Sequence, residues 1–256
     1  MRNAVNHTVK VIIPVYKNNL NNDEALSLQQ CCKILSRYPI VIVKPESLDI
    51  SAIIREYPSL GTENFDDHFF RNIEGYNELM VSPLFYERFL DCEYILIYQL
   101  DAYVFRDELE DWCCKSYDYI GAPWIRREKS LQNCWLFRKL YRGPKAIRLY
   151  DDCLYNAGNG GFSLRRTHLF YEIVCTAENV TDPVPEDIFW SRIMRNDKHR
   201  VPDYKEALLF SFDRYPAECF QITGKIPFGC HAWNRKKMYR FWKNIIKRKS
   251  QHLSDV

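Results

Sequence analysis

An α/β domain built on a parallel sheet is what this chain of 256 residues predicts. Three observations carry that expectation. Residues 9–16 and 39–44 are short β-branched runs, and between them 23–35 place Ala25, Leu28, Cys31, Cys32 and Leu35 at helical spacing. Strand, helix, strand at this distance is a βαβ unit, which joins parallel strands by a right-handed crossover. Next, 94–100 is a β-branched and aromatic run that reads as a fully buried strand. That run delivers a lone carboxylate, Asp101, and in open α/β sheets ligands bind just beyond the carboxyl ends of strands. Asp101 has two readings at this point: a site residue, or the cap of a helix starting near Arg106.

The remaining elements come in chain order. Residues 65–70 are polar and aromatic and read as a loop leading into a helix over 73–90, which Pro83 interrupts. A short helix is expected over 108–115 with Trp112 packed inward, then a brief strand near 117–124. Residues 125–150 are basic and aromatic with weak periodicity and read as an insertion or flap. A glycine-rich turn, Asn159-Gly160-Gly161, runs into a strand, and 183–190 place Glu186 and Asp187 at the start of a helix. There the helix dipole favours negative charge, so neither acid needs a catalytic role to be explained.

Composition bounds the function classes. Apolar content of 46% and charged content of 27% are ordinary for a globular domain. A formal charge of +3 does not indicate a nucleic-acid binder, and no run approaches the ~20 apolar residues of a membrane span. The ten cysteines lack zinc-knuckle spacing, and residues 1–10 lack the apolar core of a signal peptide. Reduced thiols in a cytoplasmic protein are the expectation.

These features together resemble glycosyltransferases of the GT-A fold. Val11-Ile12-Ile13-Pro14-Val15-Tyr16 looks like the nucleotide-side strand of such enzymes. Gln99-Leu100-Asp101-Ala102-Tyr103-Val104 looks like a form of their metal-binding DxD motif. Pro185-Glu186-Asp187-Ile188 looks like their Glu-Asp-Val motif, whose aspartate is the base, and His231 sits where a late histidine often completes the metal shell. The chain also resembles a bacterial domain family with QLDA-VF, IGAPW, GNGGFSLR and PED signatures, found here at 99–105, 120–124, 158–165 and 185–187.

The resemblance implies a GT-A (Rossmann-like) single domain over 1–233, with a mixed, mainly parallel central sheet flanked by helices, and a basic tail over 234–256. It implies donor binding by Pro14, Val15, Tyr16, Asn77, Gln99, Asp101 and Ala102, and acceptor contacts from Trp124, Asn159, Gly160, Gly161 and Glu186. It implies Asp187 as catalytic base, and Asp101 and His231 as ligands of Mn²⁺ or Mg²⁺. The implied reaction is inverting transfer from a nucleotide-sugar, UDP-sugar favoured, to a glycan or lipid-linked glycan in polysaccharide or lipopolysaccharide assembly. One departure stands out: Gln99 replaces the first acid of the DxD motif, so the site offers one carboxylate there and holds metal less strongly.

Two other classes stay open. A sugar nucleotidyltransferase would show a GxGxRL-type loop after the first strand, and Val15-Tyr16-Lys17-Asn18 is not one. A non-catalytic nucleotide- or carbohydrate-binding module fits the depleted DxD. In the tail, Met238, Phe241, Trp242, Ile245 and Ile246 form an apolar stripe among basic residues over 235–249. That pattern fits an amphipathic helix lying on the inner face of the cytoplasmic membrane, and equally a helix docked on the domain.

Overall fold

The computed structural model describes residues 8–126, 153–156, 158–176 and 185–251. Beyond Arg126, the expected flap lies outside the described residues. The first half of the chain reads as expected, with β1 (Val9–Pro14), α1 (Asn22–Ile34) and β2 (Ile40–Pro45) forming the βαβ unit. Helix α1 starts on a capping box: the Asn21 side chain accepts from Asp23 and Glu24 backbone N–H groups at 3.0 Å, and Glu24 Oε2 accepts from the Asn21 N–H at 2.9 Å. Such a cap is worth about 1 kcal/mol.

Between residues 46 and 65, two elements were not expected. Ser51–Glu56 forms a short helix (α2), and Gly61–Phe65 forms an edge strand (β3) paired in parallel with β2. The strand escaped notice because Gly61-Thr62-Glu63-Asn64 is polar and largely exposed, as edge strands often are. Pro83 does interrupt the next helix: α3 (Ile73–Met80) ends, and α4 (Pro83–Glu87) restarts with the proline at its first position. Strand β4 (Tyr94–Tyr98) is fully buried. The chain beyond it forms no helix near Arg106. It makes a two-residue strand, β5 (Tyr103–Val104), and helix α5 (Leu109–Cys114) begins later. Asp101 therefore caps no helix, and the capping expectation is corrected.

Then come β6 (Tyr119–Gly121), β7 (Phe162–Arg166), α6 (Thr167–Thr176), α7 (Glu186–Ile193), α8 (Tyr204–Phe210), β8 (Ser211–Phe212), α9 (Pro216–Thr223), β9 (Gly229–Cys230) and α10 (Lys236–Gln251). The main sheet has the order β3-β2-β1-β4-β7-β6. Its first four strands are parallel, β7 runs against them between β4 and β6, and β6 runs in the same direction as the first four, which makes the sheet mixed and mainly parallel.

Strand alternation divides the core. Val11, Ile13, Leu96 and Tyr98 face α1, α2 and α5, whereas Ile12, Ile95 and Ile97 face α3, α4, α6 and α7. Each such aliphatic side chain contributes about 1.5–3 kcal/mol when buried. A second, small sheet of order β5-β9-β8 has its own core, and α10 packs on it. Trp242 is completely buried and stacks on Phe105 at 5.1 Å, and Ile246 is buried beside it. Of the two tail readings, the docked helix describes the structure. Lys236, Lys237, Arg240, Lys243 and Lys247 remain exposed. Among the described residues, no helix is long and apolar enough to cross a membrane.

Candidate active site

Strands β2 and β3 extend the sheet to one side of β1, and β4 lies on the other, so the winding reverses between β1 and β4. A crevice is expected at the carboxyl ends of the strands flanking such a reversal. A cleft of about 420 Å³ lies there. Pro14, Val15, Tyr16 and Lys17 line it from the loop after β1, Gln99, Leu100 and Asp101 from the end of β4. Arg71, Asn72, Ile73 and Tyr76 close it from the start of α3, and Glu24 from α1. Tyr16 is 62% exposed at its mouth, and a phenol ring in that position offers a face for stacking. Lys17 is held by Glu24 at 2.8 Å.

The small sheet brings further groups against Gln99 and Asp101 at the end of β4. Strands β8 and β9 are parallel with Phe212 beside Cys230, so the next residues, Asp213 and His231, leave the ladder side by side. Strand β5 pairs antiparallel with β9, and the Trp233 N–H donates to the Asp101 carbonyl at 3.2 Å. His231 Nε2 consequently lies 3.0 Å from Asp101 Oδ1 and 3.1 Å from Gln99 Oε1, while its Nδ1 lies 3.1 Å from Asp213 Oδ1. Both His231 and Asp213 are buried. Burial opposes charge on the imidazole, but Asp101 and Asp213 outweigh it and lift His231 to about 10. For Asp101, burial is opposed and overcome by His231 and Arg235, which hold the carboxyl below its usual range. The turn after His231 is strained, since Ala232 has φ +53°, a left-handed conformation that favours glycine.

On the other side of the site, Gly160 and Gly161 lead into β7. A Cβ on Gly161 would overlap His231 Nε2, and one on Gly160 would overlap the Glu186 carboxylate. The glycines therefore let the two halves of the site close on one turn of backbone. Asn159 shapes that turn, its Oδ1 accepting from the Gly161 N–H at 3.0 Å. Glu186 and Asp187 open α7. Glu186 is buried and its Oε2 accepts from Arg165 at 3.0 Å; Arg165 also donates to Tyr86 and Ser163. Asp187 is half-buried, with Oδ1 accepting from the Ile188 N–H at 2.8 Å. Burial, reinforced by the Glu186 carboxylate, pushes Asp187 up to about 7.

Several expected site residues have other employment. Ala102 is fully buried below the cleft, and its carbonyl accepts from Ser27 at 2.7 Å. Asn77 does not line the cleft; its Oδ1 accepts from the Glu186 N–H at 3.3 Å and so anchors α7. Trp124 is 3% exposed with Gly158 packed on its ring, so it presents no open face to an acceptor. Glu186 is committed to Arg165 rather than turned outward. Sequence reading missed Lys17, Glu24, Arg71, Tyr76, Arg165 and Asp213.

A family model described as "Protein of unknown function (DUF5672)" matches residues 59–231, well over half of the chain. The chain belongs to this family. A search of curated proteins finds no match. Among solved structures, galactosyltransferase LgtC, bound to donor and acceptor sugar analogues, is similar at 10% identity, with a TM-score of 0.50 over 89% of this chain and 90% of that one. The mannosyltransferase PcManGT from Pyrobaculum calidifontis, bound to GDP-Man and Mn²⁺, shares 16% identity with a TM-score of 0.45 over 77% of this chain. This family member spans 55% of the mannosyltransferase's length. Mouse xyloside xylosyltransferase 1 shares 12% identity with a TM-score of 0.49, covering 88% of this chain and 97% of that one. The LgtC likeness shows the fold, which is GT-A.

Whether the residues fit a divalent cation turns on the donor set. Among the described residues, no three His, Cys, Asp or Glu side chains are arranged to hold a metal ion. Asp213 faces the far nitrogen of His231, which leaves Asp101 Oδ1 and His231 Nε2 on the cleft side. One oxygen and one nitrogen beside a cleft of nucleotide size suit Mn²⁺ or Mg²⁺ completed by a diphosphate. The residues fit on that basis.

Proposed function

We propose that this protein is a glycosyltransferase that moves a sugar from a nucleotide-sugar donor to a hydroxyl of a glycan or lipid-linked glycan. The observation that carries this reading is the switch-point cleft lined by Asp101, with His231 paired to that carboxylate and a carboxyl near neutrality, Asp187, beside Glu186 at the start of α7. The loop after β1 receives the nucleotide, with Tyr16 against the base, and a UDP-sugar is the favoured donor.

A divalent cation held by Asp101 and His231, Mn²⁺ or Mg²⁺, would neutralise charge growing on the leaving diphosphate. Asp187 accepts the proton of the acceptor hydroxyl as its oxygen bonds to the anomeric carbon. The bond from that carbon to the diphosphate oxygen breaks, and its electron pair leaves with the nucleoside diphosphate. A carboxyl titrating near 7 is suited to this work, because a base is most effective when its pKa lies near the operating pH. Direct displacement inverts the anomeric carbon.

A panel of nucleotide-sugars, with and without Mn²⁺ and with acceptor glycans present, tests the reading by nucleotide release. Release from one donor, with an inverted anomeric centre by NMR, is the expected result. No release from any donor sinks the enzyme and leaves a binding module.

A further inference from the structure

Two side chains beside the cation site have no part in the proposed transfer. Asp213 is 5% exposed, and its Oδ1 meets Nδ1 of His231, the nitrogen turned away from the cleft. Tyr76 stands on the opposite side, where its hydroxyl accepts from Gln99 Nε2 at 3.0 Å. With its nitrogen engaged, the Gln99 amide turns its oxygen toward His231 Nε2.

We infer that Asp213 and Tyr76 are positioning residues that present His231 Nε2 and Gln99 Oε1, together with Asp101 Oδ1, to one divalent cation. The inference rests on the nucleotide-sugar reading. It makes Gln99 a neutral third ligand where the resemblance led one to expect only a missing charge.

The geometry supports this in three ways. Neighbouring ligands of an octahedral cation bound at about 2.1 Å lie about 3 Å apart. The separations here are 3.0 Å from Nε2 to Asp101 and 3.1 Å from Nε2 to Gln99. A metal-bound histidine almost always donates its other N–H to a carboxylate or carbonyl, and the buried Asp213 carboxylate on Nδ1 leaves Nε2 as the nitrogen that gives up its proton to a bound cation. Finally, a Cβ on Gly161 would overlap His231 Nε2 and approach Gln99 Oε1 to 2.7 Å, so glycine keeps the space between the ligands clear. A donor set of one carboxylate, one amide oxygen and one imidazole carries a single negative charge. Its nitrogen favours Mn²⁺ over Mg²⁺, and its low charge makes tight binding depend on the diphosphate oxygens.

Titration of the full chain with Mn²⁺ alone and with Mn²⁺ plus UDP, read by electron paramagnetic resonance of the free ion, tests the inference without reference to turnover. Asp213→Asn and Tyr76→Phe should each weaken Mn²⁺ binding by roughly 10- to 100-fold. Asp213→Glu should recover part of the loss, and the melting temperature of Tyr76→Phe in EDTA should stay close to that of the parent. The two residues lie on opposite sides of the site, so if one variant fails to fold the other still decides. Variants that bind Mn²⁺ like the parent overturn the inference and leave cation-assisted transfer standing. A parent chain that ignores Mn²⁺ even with UDP also overturns it, and sugar transfer persisting in EDTA would then show that the glycosyltransferase reading survives alone.

Discussion

Asp187 joins two properties that pull in opposite directions. Its folded-state pKa is raised from 3.8 to about 7, so the folded chain binds a proton there that the unfolded chain releases. Stability from this group is therefore present at low pH and is lost as pH rises through about 7. In the proposed transfer activity runs the other way, since Asp187 would act as the ionised base, and kcat/KM should fall as pH drops below about 7. Asp187→Asn should lower kcat by roughly 10²–10⁴ and raise the melting temperature at pH 8, as measured by nucleotide release and calorimetry. Gly161→Ala places a methyl group on His231 Nε2, and its turnover should fall at least ~100-fold, with donor binding retained in a fluorescence titration. Ala232→Gly relieves a left-handed alanine and should raise stability by about 1 kcal/mol in denaturant melts.

At the scale of elements, the network beneath α7 decides where its first turn sits. Arg165 is completely buried in β7 and ties Glu186, Tyr86 and Ser163 together. Glu186→Ala leaves that guanidinium without its partner and should cost about 3–5 kcal/mol in chemical denaturation. The pattern of the chain explains which elements were legible in it. Strands β1, β2 and β4 announced themselves because their runs are apolar on both faces, as buried parallel strands must be. Strand β3 is a polar edge, and β5, β8 and β9 are two-residue strands too short for any period to show. Asp101, Asp187 and His231 were legible through motif spacing. Asp213 and Tyr76 were not, since each owes its place to a ladder or helix that only the folded chain brings near.

The whole molecule depends on the C-terminal helix more than a basic tail suggests. Trp242 and Ile246 complete the core of the small sheet, whose strands β8 and β9 lead directly into Asp213 and His231. Trp242→Ala should cost about 3–5 kcal/mol, and removal of residues after Trp233 should lower the melting temperature before it alters any surface property. Differential scanning calorimetry on both variants checks this.

One feature sets the order in which the protein becomes competent during its synthesis. Gln99 and His231 touch across 132 residues of chain, and β9, the strand that leads into His231, is the last in chain order to join either sheet. A ribosome has therefore delivered the main sheet and the switch-point cleft well before Asp101 and Gln99 have the imidazole they pair with. On the proposed function, a growing chain would hold a place for the donor long before it has the means to act on it, and a prematurely terminated product should be inert in the nucleotide-release assay. Competence arrives with the final strand.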